Sequence, residues 1–134
     1  MLWLDFDVSL PNLFLSYQES KNMKAILIAM VEIHDPEMYK KYTAKTPDII
    51  NKYGGRFLVR GGPIETIEGE PFGKRLVVLE FPSREAIQTF YHSEEYQAIL
   101  PYRQQSSNAT FIVADAVPEG LITPNDQVEK SHWL

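Results

Sequence analysis

The chain has 134 residues, which suffices for one domain with a single core. A net charge of -5 and a pI near 5.2 argue against nucleic acid and against an anionic membrane surface as partners. The lack of cysteine excludes a disulfide framework, a thiol nucleophile and a zinc-thiolate site, and it fits the cytoplasmic location that we expect.

The first 22 residues do not fit a signal peptide, because acids at Asp5 and Asp7 come early and Pro11 interrupts the apolar run. No window approaches the ~18 apolar residues that a membrane span needs. Met23 stands where the first confident strand begins. Two interpretations are therefore open: residues 1–22 are an upstream extension, or they are an arm that docks on the body or on a partner subunit.

The first strand and helix have clear sequence signals. Residues 24–32 are a continuous apolar run, too short for an ordinary helix, and they predict a buried strand. The run DPE at 35–37 has a helix cap, a proline at the first helical position and an acid in the first turn. The helical pattern continues to Gly54, and Pro47 predicts a kink or split near Thr46.

The remaining elements complete a βαββαβ order. They are a strand at 56–60 between two glycine pairs, a strand at 74–81, a helix in two parts from Ser83 that Pro101 stops, and a last strand at 109–117. This order predicts a ferredoxin-like α+β sandwich. We expect one domain at 23–117, followed by an irregular polar tail at 118–134.

The first strand is apolar on both faces, which predicts a second layer beyond the helices. One face carries Ala25, Leu27, Ala29 and Val31, and the other carries Ile26, Ile28 and Met30. Two helices form one layer and cover only one face of the sheet. The other face is most economically covered by the same sheet of a second copy, so we expect a homodimer that packs sheet to sheet.

Several spaced motifs agree in order with one known family. The runs DPEMYKKY, KYGGRFLVRGG, EGE, KRLVVLEFPSREA and YHSEEYQ resemble the bacterial family known as domain of unknown function 1330, over about residues 23–117. That family is similar to the dimeric α+β barrel superfamily, in which two ferredoxin-like subunits share a barrel. The resemblance implies this fold and a dimer, but it implies no activity and no catalytic residue. Related barrels include cofactor-free monooxygenases, muconolactone isomerase and haem-handling enzymes, which bind small oxygenated or aromatic molecules.

Two arginines on the second strand are candidate ligand-binding residues. Strand alternation places Arg56, Leu58 and Arg60 on one face. A pair of guanidinium groups suits a carboxylate or an enolate, because the planar fork matches two oxygens. Two alternatives stay open: the arginines protect an edge strand from unwanted pairing, or Arg56 forms an ion pair with Glu80.

Two residues are candidates for moving a proton. Glu80 interrupts an otherwise apolar strand, where an acid is either ion-paired or suited to act as a general base. His34 lies beside Asp35 at the turn after the first strand, where it could shuttle a proton or simply face solvent. The three histidines lack the spacing of a metal motif, so we expect no metal site and no cofactor.

Tyrosine is frequent in this chain. Tyr42, Tyr91 and Tyr96 could present hydroxyl groups to a cavity between the helices and the sheet, or they could be core-edge residues with tips in water. Arg103 could close such a cavity or cap the short helix. The leading hypothesis is a homodimer that binds a small acidic or aromatic compound, as a cofactor-free enzyme using acid/base or oxygen chemistry. The alternatives are a non-catalytic ligand-binding or regulatory module and a protein-interaction module that uses its terminal arms.

Overall fold

The structure is a computed structural model that describes residues 23–118, so the predicted arm at 1–22 and nearly all of the predicted tail lie outside the described residues. The elements are β1 (Ala25–Ile33), α1 (Pro36–Thr43), α2 (Thr46–Lys52), β2 (Arg56–Arg60), β3 (Arg75–Phe81), α3 (Arg84–Tyr91), α4 (Glu94–Ser106) and β4 (Ser107–Asp115). This order confirms the predicted ferredoxin-like α+β fold, with the first helical segment split before Thr46 as expected. None of the helices within residues 23–118 has the length and apolar content to cross a membrane.

Side-chain caps fix the starts of three helices. The Asp35 carboxylate accepts a hydrogen bond from the Met38 backbone at 3.2 Å, as predicted. Ser83 and Ser93 cap α3 and α4 in the same way, at 3.0 and 3.1 Å. The cap at Ser93 matters for the site, because its hydroxyl accepts from the backbone of Tyr96 and fixes that residue in the first turn.

One predicted helix end was wrong. Pro101 does not stop the short helix, and α4 continues through it to Ser106. A proline within a helix removes one backbone hydrogen bond, but packing can outweigh that loss. Here the face of α4 that continues past the proline is buried at Arg103 and Ser106, at 8% and 0% exposure, so the extra turn is held by its contacts with the core.

The four strands form one antiparallel sheet in the order β2-β3-β1-β4. All helices lie on one side of it, and the sheet residues on that side are buried with Phe81, Phe90 and Tyr96 in the core. The opposite side, which we call the open face, is not covered by any element within residues 23–118. It carries apolar side chains from all four strands: Ile26, Ile28, Met30, Val59, Leu76, Val78, Ile112 and Ala114.

A β-bulge at Leu58 changes the predicted geometry of the second strand. Arg56 pairs with Glu80, but the register then shifts, so that Arg60 pairs with Val77. A bulge places two residues opposite one, and the side chains beyond it change face. Arg56 therefore lies on the open face and Arg60 on the helix side. The prediction that the two arginines share a face was wrong.

Candidate functional site

A small cavity of about 50 Å³ lies between α1, α2 and the helix side of the sheet. Strand residues and Phe90 form its apolar walls. Its polar lining comes from six side chains: Tyr39, Tyr42, Thr43, Thr46, Arg60 and Arg75. The volume exceeds the ~10–15 Å³ that one water needs but is well below the ~300 Å³ of a typical ligand pocket. The cavity therefore has room for a small ligand only.

Arg75 is the most unusual group in the cavity. Its Nε atom is buried and has no hydrogen-bond partner among the described residues. Its guanidinium carbon lies 5.8 Å from the centre of the Tyr39 ring. The ion pairs formed within residues 23–118 do not include it. A buried donor without an acceptor is costly, and it is more costly on a charged group, so the Arg75 Nε atom is suited to bind an acceptor that the described residues do not supply.

Arg60 brings a second cation to the same part of the cavity. Because Arg60 pairs with Val77, it is a diagonal neighbour of Arg75 on the helix side of the sheet. Its guanidinium carbon lies 4.5 Å from the centre of the Phe57 ring. Arg60 is exposed whereas Arg75 is half-buried, so the pair extends from the cavity to its mouth. Two guanidinium groups without an acidic partner among the described residues attract an anion.

Tyr42 and Tyr96, which we call the tyrosine pair, form a second polar group at the cavity. Their hydroxyl oxygens are 2.6 Å apart. Arg103 donates a hydrogen bond from Nε to the Tyr96 hydroxyl at 3.3 Å. Its guanidinium carbon is 4.2 Å from the centre of the Phe111 ring, so this arginine is held over an aromatic side chain rather than over an acid.

Burial keeps the tyrosine pair in the neutral form. Desolvation raises the pKa of Tyr42 well above its ordinary value, and the neighbouring Tyr96 raises it further. Desolvation also raises the pKa of Tyr96, although the Arg103 guanidinium opposes this shift. Both phenols are therefore protonated near neutral pH and can serve as hydrogen-bond donors.

Three predicted site residues lie away from the cavity. Arg56 and Glu80 form the ion pair that was one of the predicted alternatives, and this pair lies on the open face. His34 is exposed at the turn after β1, where its backbone nitrogen donates to Ser106. The catalytic roles predicted for Glu80 and His34 stay predictions, and neither residue lines the cavity.

Tyr91 lies close to the tyrosine pair but on its outer side. Its ring centre is 5.3 Å from that of Tyr96. It lines a shallow outer recess together with Arg103, and it does not line the cavity. The predicted cavity residues that the structure brings together are thus Tyr42 and Arg60 in the wall, with Tyr96 and Arg103 directly behind Tyr42.

Two cavity residues, Arg75 and Tyr39, were not predicted as site residues from the sequence. A signal for Arg75 was available, because it stands in phase with Val77, Leu79 and Phe81, the buried face of β3. A charged residue at the start of a buried alternation is either paired or functional. Tyr39 lies one helical turn before Tyr42 on α1 and shares its buried face.

Solved structures with this fold include a protein of unknown function from Rhodopseudomonas palustris, with a TM-score of 0.62 and 14% identity over 84% of this chain and 96% of that one. SnoaB, a cofactor-independent oxygenase from Streptomyces nogalater, has a TM-score of 0.51 and 11% identity, over 73% of this chain and 97% of its own. A candidate antibiotic biosynthesis monooxygenase from Caulobacter crescentus has a TM-score of 0.51 and 14% identity, over 77% and 98%. At such identities the likeness establishes the fold alone.

No curated protein sequence matches the chain at a significant level. The sequence model of one family does match, over residues 24–117, which include every helix and strand described above. The motifs that resemble this family in the sequence lie on α1, on β2 and β3 with the loop between them, and on the helices that follow. The chain therefore belongs to the family described as Domain of unknown function (DUF1330).

Proposed function

We propose that this protein is a homodimer in which each subunit binds a small organic anion, a carboxylate or an enolate, in the cavity between its helices and its sheet. The observation that carries the proposal is the buried Arg75 Nε without a hydrogen-bond partner in the described chain. A carboxylate offers two acceptors in the plane of a guanidinium, and such charge-assisted bonds are about twice as strong as neutral ones. Arg60 adds a second positive charge at the mouth.

The rest of the cavity supports a ligand with an apolar body. Phe57, Phe90 and Phe111 line it together with aliphatic residues of β1 and β3. Ligand sites commonly combine such apolar walls with a few polar groups that fix orientation. A small carboxylic acid with an alkyl or aromatic part suits this lining.

The chemistry of the lining limits what turnover is possible. The part of the wall that residues 23–118 form includes no Asp, Glu or His, so these residues supply no general base there. Cations beside an enolate nevertheless lower the free energy of forming it. SnoaB is a cofactor-independent oxygenase. We therefore propose oxygen chemistry of this kind only for a substrate that is itself acidic enough to ionise. The second candidate function is binding without turnover, which the lack of a base favours.

The binding test compares charged and neutral ligands of one shape. Propionate and benzoate are titrated into the purified protein beside their amides, with thermal unfolding and calorimetry as readouts. A ligand at ~100 times its dissociation constant should stabilise the fold by ~2.7 kcal/mol. We expect the acids to stabilise the wild type, the amides not to, and Arg75→Met to lose the effect. Arg84→Met, which removes an arginine far from the cavity, is the matched control. Acid binding that survives Arg75→Met would overturn the proposal.

The open face supports the dimer. Ile112 is 46% exposed there, and its neighbours across the sheet are Ile28 and other apolar side chains. Covering such a face contributes ~25 cal/mol for each Å² of apolar surface. We expect light scattering to give twice the chain mass for the wild type and a smaller mass for Ile112→Lys. Gln88→Lys adds the same charge on the helix side and should stay dimeric. A monomeric wild type would refute this part.

Two expectations from the sequence stay predictions. The terminal arms that a protein-interaction module would use lie outside the described residues. The cytoplasmic location rests on the lack of cysteine, which the chain composition supports only indirectly. The cavity proposal needs neither, and it requires no metal and no cofactor.

A further inference from the structure

The tyrosine pair has two hydroxyl protons but only one hydrogen bond between its two oxygens, so one proton is not used within the pair. Tyr42 and Tyr96 carry two hydroxyl protons, and one of them lies between the two oxygens. The other proton must point elsewhere. Tyr96 is fully buried, at 0% exposure, whereas Tyr42 lines the cavity. Where the second proton points depends on which tyrosine donates to the other.

The burial of Tyr96 decides this direction, because Arg103 lies beside both hydroxyls and can accept a proton from neither. A guanidinium only donates, so the Tyr96 oxygen is the acceptor in its hydrogen bond with Arg103. If Tyr42 also donated to Tyr96, the proton of Tyr96 would be buried with no acceptor among the described residues, and such a proton is costly. The favourable arrangement is a chain in which Arg103 donates to Tyr96 and Tyr96 donates to Tyr42. The Tyr42 proton is then the one not used within the pair, and Tyr42 is the member of the pair that lines the cavity.

We propose that the ligand carries a second oxygen, a carbonyl or enolate oxygen, that accepts a hydrogen bond from Tyr42, so that the compounds bound are oxo acids. This inference rests on the proposed function, in which Arg75 holds the carboxylate. A carbonyl fits better than a hydroxyl, because the Tyr42 oxygen already receives the proton of Tyr96 and the ligand atom needs only to accept. Tyr96 and Arg103 are positioning residues, since they act on the ligand through Tyr42.

The two donors are separated by one aromatic ring. The Arg75 guanidinium carbon lies 5.8 Å from the centre of the Tyr39 ring, and the rings of Tyr39 and Tyr42 are 5.5 Å apart between centres. Tyr39 and Tyr42 are three residues apart on α1, so they are neighbours on one helix face. The spacer between carboxylate and carbonyl must span the distance between these two donors, and acids that differ only in this spacer measure that distance.

The experiment uses three matched pairs of acids: pyruvate with propionate, acetoacetate with butyrate, and levulinate with pentanoate. Dissociation constants are measured by calorimetry on the full chain. We expect at least one oxo acid to bind about tenfold more tightly than its plain partner, the worth of one good hydrogen bond. Equal affinities within all three pairs would overturn the inference.

Two variants separate the roles of these residues. Tyr42→Phe should lower the affinity for the oxo acid about tenfold more than it lowers the affinity for the plain acid, so that the preference is lost. Arg103→Met keeps an apolar stem over Phe111 and should reduce the preference in the same selective way. A merely structural role would weaken the binding of both acids equally, and that result would contradict the inference. A preference for the oxo acid that survives in Tyr42→Phe would contradict it as well.

The same titrations report separately on the proposed function. If the plain acids bind the wild type and fail to bind Arg75→Met, the anion site stands whatever the oxo acids do. If no acid binds the wild type, or if Arg75→Met binds as well as the wild type, the proposed function fails and the oxo-acid inference fails with it.

Discussion

Arg56 and Glu80 face each other across β2 and β3, with the Arg56 Nε atom 2.9 Å from the Glu80 Oε1 atom. The Arg56 side chain is 66% exposed and that of Glu80 only 19% exposed. Both lie on the open face, separated from the cavity by the sheet itself. The arginine that looked like a ligand residue in the sequence is therefore the partner of the acid that looked like a catalytic base.

We accordingly expect Arg56→Met to leave ligand affinity unchanged. An ion pair with one partner largely in solvent contributes only ~0–1 kcal/mol, so the free energy of unfolding should fall by at most that amount. Calorimetry with benzoate measures the affinity, and urea unfolding of the same protein sample measures the free energy of unfolding. A loss of affinity as large as that of Arg75→Met would place the ligand on the open face instead of in the cavity.

The fold could be predicted from the sequence because each helix and strand has a local sequence signal of its own. The caps at Asp35, Ser83 and Ser93 and the two-residue alternation in the strands are readable in the sequence. The bulge at Leu58 is not, because this residue looks like any other strand residue. Whether a strand carries an extra residue depends on how it pairs with its neighbour. One such residue was enough to move Arg60 to the opposite face.

The site was only partly predictable for a related reason. Tyr42, Tyr96 and Arg103 could be proposed from the sequence as cavity residues, but their hydrogen bonds join residues up to 54 positions apart. Arg75 was overlooked because its significance is a buried Nε atom without a hydrogen-bond partner among the described residues, and this depends on every side chain packed around it. No local sequence pattern can predict such an unpartnered atom.

Gly61 provides a test of how Arg75 is held. Gly61 has a φ of 73°, in the left-handed region, and a Cβ atom there would overlap the Arg75 guanidinium. The guanidinium is the end of a flexible side chain, so it can move aside at little cost in stability. We expect Gly61→Ala to destabilise the protein by ~1–2 kcal/mol through its backbone and also to weaken acid binding by displacing Arg75.

Gly69→Ala is the matched control for this variant. Gly69 has a φ of 96°, but no atom lies within 4 Å of the position of its Cβ. It should therefore lose a similar amount of stability and bind the acids as the wild type does. Urea unfolding and calorimetry on the two variants separate backbone strain from displacement of the arginine. Equal affinities in Gly61→Ala and Gly69→Ala would mean that the guanidinium position does not govern binding.

The Glu95 carboxylate should account for part of the loss of folding stability at low pH. Hydrogen bonds from Lys52 and from the Tyr53 hydroxyl lower the pKa of Glu95 from its ordinary 4.5 to about 2. A carboxyl group whose pKa is lower in the folded state stabilises the fold above the unfolded pKa, and this contribution is lost as the pH falls through the folded pKa. We expect urea midpoints of the wild type to fall between pH 4.5 and about 2. Glu95→Gln should start lower and change less across that window.

The control for the acid series lies in the same turn of α4. Glu94→Gln removes one carboxylate from the helix start without touching the contacts to Lys52 and Tyr53. It should keep the acid dependence of the wild type. Because the Lys52 side chain is 60% exposed, added salt should reduce the effect of Glu95. A Glu95→Gln profile parallel to that of the wild type would contradict the prediction.

The tyrosine pair should make stability fall in alkali. Burial raises the pKa of Tyr42 well above its ordinary 10.0, so the unfolded chain releases this proton at a lower pH than the folded chain does. The contribution is fully present below pH 10 and is lost as the pH rises toward the folded pKa. Tyr42→Phe should begin less stable near neutral pH, because Tyr96 loses its acceptor, and should then fall less steeply above pH 10. Urea unfolding up to about pH 11 measures both slopes. Tyr102→Phe, which removes an exposed phenol hydroxyl from α4, is the control and should keep the wild-type slope. If Tyr42→Phe also keeps the wild-type slope, the tyrosine pair does not cause the loss of stability in alkali.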